Sequence, residues 1–154
     1  MNRQIKGSLA VAGAVVIGLS LFAAGTGAKS KIPRLGTSTE VETSTLAKNN
    51  RSLTVTALVE SSAPRCERQR SVLLFEAGPT GELAGGAIGH GVTQGGAQQG
   101  QVTIEGIPVK KVTPTRRFIL ETVGRKVKIN GKETICKRGV SASFLANFNP
   151  TPTS

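Results

Sequence analysis

The chain has 154 residues, with 20 Lys and Arg against 9 acidic residues and a net charge of +11, and that length holds one ordinary domain plus terminal segments. Every acid is Glu, and Asp, Trp and Tyr are absent, which argues against Asp-rich calcium loops and against aromatic platforms for sugars. With five Phe as its whole aromatic content, a core must be built from Val, Ile, Leu and Ala, and β-branched residues of this kind pack well on a pleated, half-buried surface.

Arg3 and Lys6 stand at the N-terminus, and residues 7–28 carry no charge. A cationic end ahead of an apolar stretch orients a chain in a membrane with its C-terminal part outside. Residues 1–28 therefore read as an N-terminal hydrophobic helix that serves as a signal peptide. Thr26 and Ala28 place small residues where a signal peptidase inspects the chain. The uncharged stretch also approaches the roughly 20 residues that span a bilayer, so a retained transmembrane helix, with the C-terminal domain outside, is the alternative. No Cys lies in or just after this segment to carry a lipoprotein-type acyl group.

Residues 29–50 are rich in Ser, Thr and Lys, contain Pro33 and Gly36, and read as a flexible linker. The alternation around Val41 and Leu46 is compatible with at most a short strand. From Arg51 the period becomes two: Leu53, Val55, Ala57 and Val59 point one way, and Ser52, Thr54 and Thr56 the other. Further strands are expected at 71–76, apolar on both faces and hence central, and at 102–107, 117–123, 126–129, 132–136 and 140–145. Asn130-Gly131 tolerates positive φ at both centres of a type I′ turn and predicts a tight hairpin. About seven short strands without a 3.6-residue apolar stripe make residues 51–146 an all-β domain.

Between these strands, residues 77–100 hold nine glycines and few large side chains, and read as a loop interrupted by a weak strand at 87–93. Its glycine spacing is that of neither a phosphate-binding loop nor a dinucleotide fingerprint. Residues 147–154, with Pro150 and Pro152, are expected to be a disordered tail.

Cys66 and Cys136 are the two cysteines. Outside the cytoplasm such a pair oxidises. A disulfide closing a loop of about 71 residues adds on the order of 4 kcal/mol, a large share of the stability of a small domain. With no CxxC motif, one His and no Asp, too few ligands remain for zinc.

The run 55–72, a strand and a loop leading to Cys66 and then Arg70, Val72 and Leu74, resembles the opening of bacterial exported carboxypeptidase-regulatory-like, or prealbumin-like, β-sandwich domains. Cys136-Lys137-Arg138-Gly139-Val140-Ser141 with the alternating strand after it is similar to the closing of the same pattern. The resemblance covers about residues 51–146. Family members often carry an Asp-x-x-Gly turn where this chain has Ala97-Gln98-Gln99-Gly100. The resemblance implies an immunoglobulin-like sandwich with a structural or binding role and no catalytic residues.

Nothing in the residues themselves assembles an enzyme site. His90 sits in the glycine-rich segment, and Ser71 and Glu82 reach it only through the fold; Glu40 and Glu42 lie in the linker. The expectation is a non-catalytic protein without cofactor or metal. The charge carries the functional signal, through Arg65, Arg68 and Arg70, Lys110 and Lys111, Arg116 and Arg117, Arg125, Lys126 and Lys128, and Lys137 and Arg138. These are the candidate contacts to an anionic surface such as cell-wall polymer or lipid headgroups. The expected protein is thus a secreted or cell-envelope module with a structural or binding role, and another envelope protein is the competing partner. Sequence-indifferent binding of exported nucleic acid or another polyanion is the alternative function, and the lack of stacking aromatics disfavours nucleic acid.

Overall fold

The computed structural model describes residues 31–47, 51–108 and 116–147. The leader, most of the tail, and Lys110 and Lys111 lie outside the described residues. Among the described residues there is no α-helix. The strands are β1 (Arg34–Leu35), β2 (Thr37–Leu46), β3 (Ser52–Ser61), β4 (Ser71–Ala77), β5 (Leu83–Val92), β6 (Gln101–Pro108), β7 (Arg117–Thr122), β8 (Arg125–Ile129), β9 (Lys132–Cys136), β10 (Gly139–Val140) and β11 (Phe144–Leu145).

They form three sheets, in the orders β2-β3-β6, β10-β7-β4-β5 with β11 also on β7, and β1-β9-β8. The first two face each other over a single core. Leu53, Val55, Ala57 and Val59 of β3 and Val102, Ile104 and Ile107 of β6 come from one side. Val72 and Leu74 of β4, Phe118 and Leu120 of β7, and Phe144 come from the other. The alternation along β3 sets its inward face, since a one-residue slip would expose every apolar side chain at once. The aromatic share of this core is small: the rings of Phe118 and Phe144 lie 6.1 Å apart between centroids.

Two segments differ from the sequence expectation. Residues 29–50 read as a linker, yet β2 runs ten residues in antiparallel register with β3, from Thr37 opposite Ser61 to Leu46 opposite Leu53. Its buried positions are hydroxyls, which have partners inside the protein. Thr39 Oγ1 hydrogen-bonds Thr122 Oγ1 at 2.7 Å, and Ser44 Oγ donates to the Leu145 carbonyl at 2.7 Å.

The second correction concerns residues 77–100, which contain the ten-residue strand β5 paired with β4. Two of its glycines, Gly89 and Gly91, lie where β6 crowds this side. A Cβ on Gly91 would lie 2.6 Å from Val102 Cγ2, and one on Gly89 3.1 Å from Ile107 Cγ1. The final predicted strand, 140–145, is split into β10 and β11 by Ser141–Ser143, where Ser141 turns its hydroxyl to accept from the Leu120 amide at 3.0 Å.

The third sheet is built on the predicted hairpin. Asn130 and Gly131 have φ of 50° and 78°, and β8 and β9 pair from Ile129 opposite Lys132 to Arg125 opposite Cys136. β1 adds in parallel beside β9, with Arg34 opposite Ile135 and Leu35 opposite Cys136.

Candidate basic site

Cys66 ends a one-turn 3-10 segment, Pro64–Cys66, and its disulfide to Cys136 ties that turn to the end of β9. The Cα atoms are 5.5 Å apart and both side chains are fully buried. The disulfide is consistent with an oxidising, extracytoplasmic location.

Beside the disulfide lies Arg70, whose side chain has no exposure. One terminal nitrogen of its guanidinium donates to the Cys66 carbonyl at 2.6 Å. The other donates to the carbonyls of Val123 at 2.7 Å and Lys137 at 2.9 Å, while Nε donates to Val123 at 3.0 Å. Burial pushes the guanidinium below its ordinary pKa, and the nearby charge of Arg125 acts in the same direction. Arg70 was a candidate surface contact; it is instead an interior clamp. A five-donor fork can saturate itself on carbonyls where a carboxylate is lacking.

The turn that the disulfide fixes packs on the outer edge of β8, and arginines stitch the two together. Arg125 donates from one terminal nitrogen to the Gln69 carbonyl at 2.7 Å, and from the other to Arg68 at 2.9 Å and Arg65 at 3.1 Å. Arg65 donates back to the Lys128 carbonyl at 2.8 Å. Arg65 thereby occupies one carbonyl of the edge strand β8, and Arg125 occupies those of the turn.

Between turn and strand opens a cavity of about 460 Å³ lined by Arg65, Arg68, Gln69, Arg125, Lys126, Val127 and Lys128. A second, of about 380 Å³, shares Arg65, Arg68 and Lys128 and extends to Asn130 and Gly131. No carboxylate lines either one. The hydrogen bonds of Arg65 and Arg125 go to carbonyls, which leave the positive charge in place. Lys126 has an exposed ion pair with Glu133 at 3.1 Å.

Five of the candidate contacts are thus gathered in one place: Arg65, Arg68, Arg125, Lys126 and Lys128. The others are not. Arg116 pairs with Glu76, and Arg117 donates to the Ser143 carbonyl at 3.3 Å, both at the start of β7 and so at the far end of that strand from Arg125. Lys137 is exposed at the end of β9, and Arg138 pairs with Glu121 at 3.0 Å. Lys31 and Arg34, which the linker reading passed over, stand on or beside β1.

His90 is exposed and lies opposite Leu73 on the β4–β5 ladder, with Ser71 opposite Val92. Glu82 is engaged with Thr80 in the turn before β5. Among the described residues no group of three or more His, Cys, Asp or Glu side chains is placed to hold a metal ion.

No protein-family model matches the chain, and no curated protein is found similar to it.

Proposed function

We propose that this chain is an exported, non-catalytic β-sandwich module, of carboxypeptidase-regulatory-like or prealbumin-like kind, that binds polyanionic surfaces of the cell envelope. The observation that carries the reading is the cavity between the 63–69 turn and β8, lined by five cations and no acid. A linear polyanion suits it because carbonyl-bonded guanidiniums keep their charge and ammonium groups take phosphate or carboxylate oxygens as point charges, and because dispersed anionic groups can meet several cations at once. The buried disulfide supports the extracytoplasmic part of the reading.

The test is a salt titration of binding to inorganic polyphosphate, with duplex DNA as a second polyanion. Binding is expected to weaken steeply and log-linearly with salt, with the slope falling by about one for each cation removed from the cavity. Arg65→Ala and Arg68→Ala should therefore each flatten it, whereas Arg117→Ala should not. Absence of binding at low salt, or equal loss from Arg117→Ala, would overturn the reading. Preference for DNA over polyphosphate would move it to the nucleic-acid alternative.

A further inference from the structure

We propose that the outward face of the β1–β9–β8 sheet is a lipid-facing surface that rests on anionic headgroups of a bilayer. This deepens the reading above and rests on it for the export of the domain: it shares Lys126 and Lys128 with the basic cavity, adds Lys31, Ile32 and Arg34 outside it, and names a defined partner.

The register assigns the face. Arg34, Ile135 and Lys126 stand side by side across the three strands, and Lys128 and Glu133 fall on the same side at the next alternate positions. The opposite side carries Cys136 and Thr134, both buried. The Arg34, Lys126 and Lys128 side is therefore the outward one. With Lys31, which precedes β1, it presents four cations to one acid, and that acid is already matched to Lys126.

Two further observations select a membrane over a soluble polyanion. Lys31, Ile32, Arg34 and Ile135 line a shallow recess of about 600 Å³, and Ile32 is 40% exposed. Exposed isoleucine ringed by cations gains from an interface with both apolar depth and negative charge, whereas it gains nothing from a dissolved chain of phosphates. The second observation is position. Lys31 follows Ala28, the end of the uncharged stretch 7–28, by three residues, at most about 10 Å of extended chain. This proximity applies to the retained-span alternative for residues 7–28, in which an anionic bilayer attracts the cations that follow the span in sequence.

The test uses the full chain reconstituted in phosphatidylcholine vesicles with and without phosphatidylglycerol, and reads lysine acetylation rates by mass spectrometry. Lys126 and Lys128 report the face, and Lys132, on the other side of β9, is the internal reference. Phosphatidylglycerol is expected to slow acetylation of Lys126 and Lys128 relative to Lys132, and removal of Lys31 or Arg34 to weaken that protection about fivefold each. Lys31→Glu and Arg34→Glu should abolish it together, while Lys31→Arg and Arg34→Lys should retain it. All four variants should keep the parental β circular dichroism and polyphosphate binding.

Equal acetylation in both lipids, or protection that survives Lys31→Glu with Arg34→Glu, would overturn the inference. If polyphosphate still binds in that case, the proposed function stands and this face is wrong. If neither binds, both fall.

Discussion

Arg70 donates to the carbonyl of Cys66 at 2.6 Å, so the half of the disulfide that lies in the 63–69 turn is held from below by a buried cation. The same guanidinium reaches Lys137, next to Cys136, at 2.9 Å. Covalent bond and hydrogen-bonded fork thus fix the same two segments, the turn and the end of β9, and β8, which pairs with β9, forms the other wall of the basic cavity. No ion pair involves Arg70 among the described residues, and its charge is balanced by the dipoles of three backbone carbonyls and the Thr37 hydroxyl. That balance is costly to disturb from either side.

Arg70→Ala would strip hydrogen bonds from the carbonyls of Cys66, Val123 and Lys137 and leave a cavity in their midst. We expect a loss of about 3 kcal/mol or more, the scale for breaking a buried charged network. Arg70→Lys should recover less than half, because an ammonium has no planar fork to span three carbonyls. Urea denaturation measures both, and a Lys variant as stable as the parent would show that charge and not geometry is what the site requires.

Cys66→Ser with Cys136→Ser removes the constraint on a sequence separation of 70 residues, with an expected loss of about 4 kcal/mol. The second effect is specific to this architecture. The turn carrying Arg65 and Arg68 loses its tie to β9, so polyphosphate affinity should fall under conditions where circular dichroism still reports native sheet. Unchanged affinity in the folded, disulfide-free protein would mean that the arginine stitches to β8 suffice to assemble the cavity.

The parts of this arrangement that were legible in the sequence are those where local chemistry and tertiary demand coincide. Asn130-Gly131 announces its hairpin because the turn itself needs positive φ, and β3 announces its inward face because one side is apolar throughout. β2 was obscured because Thr39 and Ser44 fill inward positions with hydroxyls whose partners, Thr122 and Leu145, lie 83 and 101 residues away. β5 was obscured because Gly89 and Gly91 are empty where the side chains of β6 intrude, which reads as a loop until the neighbour is known. Arg70 gave no sign of burial, since its partners are backbone carbonyls and a carbonyl leaves no mark on a sequence pattern. The gathering of five cations beside the turn likewise depends on the disulfide and the register of β8, neither of which is local.

Gly91→Val puts branched carbon where a single Cβ already meets Val102 at 2.6 Å. Overpacking of this kind costs roughly 1 to 3 kcal/mol, and here it should also force β5 away from β6. Gly100→Ala combines a φ of +81° with a Cβ directed at the Val59 carbonyl and should be at least as damaging. Gly131→Ala, equally at positive φ but with open space around it, should cost only about 1 kcal/mol of backbone strain. Thermal unfolding that ranked Gly131→Ala as the worst of the three would contradict the packing assigned to β5 and β6.

The turn from β4 to β5 supplies a pH dependence whose sign follows from Glu82. Its carboxylate accepts hydrogen bonds from the Thr80 hydroxyl and from the Thr80 amide, the latter at 3.0 Å. The hydroxyl bond is the largest of the effects that lower its pKa from the ordinary 4.5, followed by the bond from its own backbone amide. A carboxyl whose folded pKa is depressed contributes stability that is fully present above its unfolded value and is lost as pH falls through the folded one. The turn should therefore be tightest above pH 4.5 and loosen below it. The Thr80 amide resonance should follow the Glu82 carboxyl with a midpoint under 4.5, and in Glu82→Gln that step should vanish. A midpoint at or above 4.5 would mean that the exposed carboxylate is held by water and not by Thr80.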